Sequence, residues 1–266
     1  MKSPAEVARL YVDAGSQKAQ LPVGKMFLLA VFAGMFIAMG GFASTVASYG
    51  VVPVALGRML SAMIFPIGLM MVLVGGAELF TGNSLMLMPV LQKRTTLVKM
   101  LLNWLIVFLG NFVGSVFIAW VVTTGSVRGE SGLYGGALSQ VLINTAASKI
   151  SLSFLEAILR GILCNFMVCM AVWVSFAADE LAGKIAALYL PILLFVLCGF
   201  EHCVANMYFI PAGLFAALYS GTSVEGLNWL TFIVRNLLPV TLGNLIGGAL
   251  ITGFGYWLVY LQGHDE

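Results

Sequence analysis

Two glutamates, two asparagines and one histidine stand in strongly apolar surroundings in this chain, and most of them recur at a fixed spacing. In GAELFTGN (Gly76 to Asn83) and GFEHCVAN (Gly199 to Asn206), a shift of 123 positions carries Gly76, Glu78 and Asn83 onto Gly199, Glu201 and Asn206. The same shift carries Gly82 onto Ala205, and the second copy adds His202. A charge inside hydrocarbon is costly unless it faces protein or water, so acids in such segments mark paired or functional positions. Their duplication predicts a transporter built from two similar halves.

His202 is the only histidine within an apolar segment, since His264 lies in the polar tail. A lone histidine in an apolar helix is ordinarily a packing residue. Imidazole is nevertheless the side chain whose unperturbed pKa lies nearest neutrality, and His202 sits within the second copy of the repeated motif. It can donate to a small anion, or hand it a proton so that a neutral acid crosses. Glu78 and Glu201 read as loop-structuring groups beside Asn83 and Asn206, with Glu201 expected to anchor its loop through backbone N–H groups.

These groups must be positioned by membrane helices. The 266 residues are 61% hydrophobic and 9% charged, with a mean hydropathy of +1.01, far above the apolar usage of soluble domains. Stretches long enough to span a bilayer fall near 26–47, 100–122, 152–177 and 236–260. Two longer ones, near 59–91 and 185–218, each hold one copy of the polar motif. They are too long for one crossing and too short for two, so the spacing predicts two half-helices around an irregular loop. Such backbone is tolerated at membrane depth only inside protein or along a watery cavity, with Gly75, Gly76, Gly82 and Gly199 suited to tight turns.

A second match, NWLIVFLGN (103–111) against NLLPVTLGN (236–244), agrees at six of nine positions and continues into Gly114 and Gly247. With three spans per half, the second half must be inverted relative to the first, which predicts a six-helix 3+3 inverted repeat with broken second and fifth helices. Gly110, Gly114, Gly243 and Gly247 read as helix-packing residues.

Ser3 to Glu6 forms a capping box with Pro4 at the first helical position, which predicts a short amphipathic helix on the cytoplasmic face within residues 1–25. A six-span domain over 26–260 and a cytoplasmic tail at 261–266 follow. Lys2, Arg9, Lys18, Lys25, Lys93, Arg94, Lys99 and Lys184 fall on one side, against Arg58, Arg128, Lys149 and Arg235 on the other. That bias places both termini in the cytoplasm of an inner (cytoplasmic) membrane protein, with 123–151 as the largest connection outside.

Other polar groups take bland readings. Cys164, Cys169, Cys198 and Cys203 lack metal-ligand or CxxC spacing and read as inert buried thiols. Glu156 and Arg160, at i and i+4, are expected to neutralise each other, and the five tryptophans suit an interfacial belt. The chain has no HExxH, no second intramembrane histidine and no serine elbow, which argues against a membrane-embedded enzyme. A water or glycerol facilitator would carry NPA caps at its half-helix ends, and they are missing.

The chain resembles the formate/nitrite transporter family along nearly its full length, through AGSQKA, GGAELFTGN, NWLIVFLGNFVGS, CNFMVCMAVW, GFEHCVANM and NLLPVTLGNLIGG. The resemblance implies an aquaporin-like helical bundle, a homopentamer in the lipid bilayer with one path per protomer, small anions as the permeating species, and neither cofactor, metal nor nucleic acid. It also implies apolar constrictions at Phe65, Leu69, Leu79, Val168 and Phe195, polar wall groups at Thr81 and Asn165, and Lys149 as an electrostatic attractor outside them. Pro66, directly after the constriction phenylalanine, departs from the family pattern. Within the family, ELFTGN looks nearer to nitrite and hydrosulfide channels than to formate channels.

Overall fold

A computed structural model describes residues 1–127 and 135–263. Half of the expected tail, with His264, and Arg128 within the expected outer connection lie outside the described residues. Helix α1 (Pro4–Lys18) begins at the expected capping box: Glu6 N donates to Ser3 Oγ at 3.3 Å and Ser3 N to the Glu6 carboxylate at 2.7 Å. The Ser3 amide and hydroxyl hold the Glu6 carboxyl below its ordinary pKa. The apolar face of α1, with Val7, Tyr11 and Val12, is buried against the protein.

The first passage is α2 (Val23–Ser48). The second runs through α3 (Val54–Ile64) and α4 (Pro66–Val74), breaks, and resumes as a 3₁₀ turn (Gly82–Met86) and α5 (Leu87–Leu91). Pro66 is accommodated at the first position of α4, and Phe65 keeps helical backbone angles at the junction. The third, α6 (Leu97–Val122), ends in a π turn (Thr123–Val127). Helix α7 (Gly135–Ile150) then occupies much of the segment read as a connection. The fourth passage is α8 (Phe154–Ala177), and the fifth is α9 (Leu181–Leu197), a break, and α10 (Cys203–Ser220). The last is composite: α11 (Trp229–Thr231), a π turn (Phe232–Leu237), α12 (Leu238–Leu245), a second π turn (Ile246–Phe254) and α13 (Gly255–Tyr260).

Both breaks have one local cause. Gly76 and Gly199 adopt left-handed φ of +67° and +70°, an angle that a β-carbon makes costly. Past each glycine the chain closes a Schellman-type bond, from Ala77 N to Val72 O at 2.9 Å and from Phe200 N to Phe195 O at 3.0 Å. Gly75 and Gly82 keep negative φ, so the tight turn rests on one glycine per break.

Helix packing follows the repeat. α2 lies along α6, and α8 along α12 and the second π turn. Glycines permit these crossings: a β-carbon at Gly114 would collide with the Val31 carbonyl, and one at Gly247 with the Ile162 carbonyl. The obstacle is backbone in each case, so neither neighbour can swing away. Gly247→Ala should therefore destabilise the folded protein by roughly 1–3 kcal/mol, the usual cost of overpacking. Gly24→Ala, with open space at its β-carbon, should not. Thermal unfolding in detergent reads the difference.

Candidate functional site

Each broken helix is held by the same set of bonds. Glu78 takes Lys18 Nζ at 2.7 Å and Asn83 Nδ2 at 2.7 Å. Glu201 takes Lys149 Nζ at 2.9 and 3.1 Å and Asn206 Nδ2 at 2.7 Å. Asn83 donates also to Asn103 Oδ1 at 2.9 Å, and Asn206 to Asn236 Oδ1 at 2.7 Å. Asn103 and Asn236 reach back to the carbonyls of Lys18 and Lys149 at 3.5 and 2.9 Å. A third asparagine of each half faces the loop backbone. Asn111 accepts from Phe80 N and donates to Glu78 O, both at 2.9 Å; Asn244 accepts from Cys203 N at 2.9 Å and donates to Glu201 O at 3.0 Å.

Glu201 thus works through a lysine and an asparagine, and the expectation that it binds backbone N–H groups is corrected: those amides are served by Asn244 and by the Arg160 carbonyl. Lys149 is bound to that carboxylate, with its side chain 16% exposed and its ammonium 5.4 Å from the centre of the Phe209 ring. The shared network also shows that α1 and α7 belong to the repeat, since a shift of 131 positions carries Lys18 onto Lys149. The sequence reading missed this because little besides that lysine is common to the two helices.

The repeat breaks where polar groups meet the path. By the 123-position shift, Leu79 answers to His202, and Thr81 to Val204. His202 and Thr81, each the polar member of its pair, face one another: Thr81 Oγ1 lies 2.9 Å from His202 Nε2. His202 is the N-cap of α10, with Nδ1 accepting from Ala205 N at 3.0 Å. An acceptor at Nδ1 leaves the neutral ring's proton on Nε2, aimed at Thr81. The ring stacks on Phe195 at 5.9 Å between centroids.

Around this pair the path is a neck between two open cavities. One, of about 500 Å³ beside α1, is lined by Lys18, Lys25, Leu69, Glu78 and Leu79 among others. The other, of about 210 Å³ beside α7, is lined by Ser44, Thr45, Phe65, Lys149, Phe195 and His202 among others. Between them Phe65, Leu69, Leu79, Val168 and Phe195, with Ile37, Ile192 and His202, leave about 10 Å³. Ile37 and Ile192 escaped the sequence reading because no motif distinguishes them from lipid-facing isoleucines. Asn165 stands back from the neck, its amide turned to Thr81 O, Ser84 Oγ and Asn244 O at 3.3, 3.1 and 2.7 Å.

Three further readings change. Glu156 caps α8 through Ser153, and no close salt bridge joins it to Arg160 among the described residues. Cys198 is exposed whereas Cys164, Cys169 and Cys203 are buried, since it ends α9 at the outer side of the break. Trp173 is buried, edge-on to Tyr256 at 4.3 Å between centroids, and so lies outside the expected belt.

Comparison with known proteins bears on this architecture. The family model described as Formate/nitrite transporter matches residues 5–258. The chain belongs to that family. A probable formate transporter of Methanothermobacter thermautotrophicus is 38% identical over 278 residues, covering 98% of each chain. The formate channel FocA of Escherichia coli strain K12 is 36% identical, covering 99% of this chain and 96% of its own. Among solved structures, a pentameric formate channel with formate bound matches with a TM-score of 0.77 at 33% identity, over 90% of this chain and 98% of its own. An FNT family ion channel matches with a TM-score of 0.84 at 26% identity, over 96% of this chain and 98% of its own. The six-passage inverted repeat with broken second and fifth helices is therefore the fold of this transporter family, and the chain is a multi-pass transport protein, not an enzyme.

The ion pairs make a direct prediction. Lys149→Met leaves the buried Glu201 carboxylate unpaired and should cost roughly 3–5 kcal/mol, the usual price of half a buried pair. Lys149→Met with Glu201→Gln removes both charges and should recover most of that loss. Thermal unfolding of the two variants in detergent decides it.

Proposed function

We propose that this protein is a homopentameric channel for small monovalent carboxylates, formate first, in the cytoplasmic membrane with both termini in the cytoplasm. The names of the relatives support formate and displace the expectation, drawn from ELFTGN, that nitrite or hydrosulfide comes first. The pentameric structure to which the chain is similar supports the assembly. Lys93, Arg94 and Lys99 follow α5 at the end of the molecule where α1 docks, which supports the orientation.

The observation that carries the reading is the closed apolar neck whose polar lining side chain is His202, held in contact with Thr81. A bare anion stalls at a ring of leucine and phenylalanine because its desolvation has no compensation. The pair supplies that compensation. With His202 Nε2–H donated to Thr81 Oγ1, the Thr81 hydroxyl proton is free to donate to a carboxylate in the neck. Transfer of a proton runs through the doubly protonated ring: a proton arriving at Nδ1 displaces the Ala205 amide, Nε2–H moves to Thr81 Oγ1, and the Thr81 proton moves to the carboxylate. The products are a neutral imidazole and a neutral acid, which passes the remaining apolar wall. Lys149 and Lys18 lie at the two mouths, but each is neutralised by its glutamate, so we read them as holders of the loops first and as attractors of anions second.

Asparagine is the informative replacement at 202, because it retains the N-cap and cannot exchange a proton near neutrality. In proteoliposomes loaded with a pH dye, the wild type should acidify with formate and much less with chloride, whose conjugate acid is fully dissociated. The rate should rise as external pH falls. His202→Asn should lose that pH dependence. Wild-type pH response in an intact His202→Asn pentamer removes the proton-transfer role, and equal chloride flux removes the carboxylate reading.

The neck sets size. Leu79→Val or Phe195→Ile widens it and should raise the lactate-to-formate flux ratio while leaving pH dependence in place. One methylene in an apolar pocket is worth about 1–3 kcal/mol, so the change should be graded. Paired uptake measurements of the two acids check it.

A further inference from the structure

Three successive carbonyls at the end of the first loop each receive a side-chain donor from a different helix. Asn165 Nδ2 of α8 reaches Thr81 O at 3.3 Å, Tyr11 Oη of α1 donates to Gly82 O at 3.0 Å, and Trp104 Nε1 of α6 donates to Asn83 O at 2.9 Å. In the other half only one of the three answering carbonyls has such a donor among the described residues, Val204 O from Ser115 Oγ of α6 at 3.5 Å, while Gly34, Leu142 and Leu237 stand at the positions answering to Asn165, Tyr11 and Trp104. The difference follows from what succeeds each loop. The second runs straight into the α-helix α10, whereas the first enters a 3₁₀ turn, whose own hydrogen bonds are poorer.

Of the three donors, Tyr11 is the one carried by a helix outside the membrane passages. Its side chain is 1% exposed and its ring meets Phe176 edge-on at 5.5 Å. Gly15, one turn later, abuts Pro89, so α1 sits close under α5. Ion pairs from Lys18 to Glu78, Arg94 to Asp13 and Lys2 to Asp179 fix both ends of α1. The titratable groups facing the phenol are Cys169 of α8 and Glu78 of the loop; burial first, and these groups second, push it above its ordinary pKa, so it remains a proton donor.

We infer that Tyr11 is a positioning residue of the path: by donating to the Gly82 carbonyl it fixes the peptide beside Thr81, and through it the contact of Thr81 with His202. Helix α1 thereby sets the geometry of the neck. The inference rests on the reading that the Thr81 and His202 pair serves conduction.

The test measures formate flux and its pH profile in proteoliposomes of intact pentamers. Tyr11→Phe keeps the ring and removes the donor; flux should fall roughly two- to tenfold, about the worth of one hydrogen bond, with an altered pH profile. p-Methoxyphenylalanine at position 11, with the oxygen but no proton, should behave like Tyr11→Phe, and p-aminophenylalanine, which restores a donor, should recover the wild-type profile. In a Thr81→Val background Tyr11→Phe should add nothing, since the two act on one contact. Wild-type flux and pH profile in both donorless variants overturns the assignment, as does full additivity with Thr81→Val. Thr81→Val with wild-type conduction instead overturns the underlying reading of the pair. Should Tyr11→Phe fail to assemble, p-fluorophenylalanine at position 11, close to tyrosine in size and without a proton to donate, is compared with the amino variant in its place.

Discussion

The structure depends on neutralising backbone and charge at membrane depth where two helices are interrupted. Each interruption exposes peptide groups that hydrocarbon cannot solvate, and the lysine, glutamate and asparagine set of each half answers that demand. The carboxylate binds the lysine of the helix that opens its half, α1 or α7, and the asparagine five residues on, while the asparagine of that half's third passage closes on the loop's own N–H and C=O. Neither charge of a pair is stable alone in such surroundings. That mutual dependence explains why these residues recur together in both halves.

The repeat also acts as an internal control on function. Bonds present in both halves maintain the fold; groups that differ between matched positions are where the fold is put to use. Leu79 against His202 and Val204 against Thr81 leave one imidazole and one hydroxyl in contact at the neck, and the surrounding residues stay apolar. Copying the first loop into the second half would set Thr81 against a leucine, and copying the second into the first would set His202 against a valine. The asymmetric pair allows a narrow aperture with a single place where a carboxylate finds a donor.

The same comparison separates the two sides of the neck. On the side of α7 a continuous helix leaves the loop, and of the three answering carbonyls only Val204 O takes a side-chain donor, from Ser115 Oγ at 3.5 Å. On the side of α1 the 3₁₀ turn draws donors from three helices. The neck is thus braced by more side chains from outside at one loop than at the other, a difference that the shared motif does not reveal.

Much was written in the sequence by itself. Apolar length determined the membrane class and the passages, duplicated GxE and Asn spacing determined the halves and their breaks, and Ser3 with Glu6 determined the start of α1, because each of these is a local or periodic constraint. The tertiary structure alone decided the partners. That Glu201 takes Lys149, that Asn165 faces the Thr81 carbonyl and not the path, that Glu156 caps its own helix, and that Tyr11 reaches Gly82 are matters of which side chains meet across helices. Sequence separation carries no information on such meetings, since the crossings that create them are set by where glycines let backbones touch. Ile37 and Ile192 show the same limit: an isoleucine against lipid and one lining a neck are the same residue until the neighbouring helix is in place.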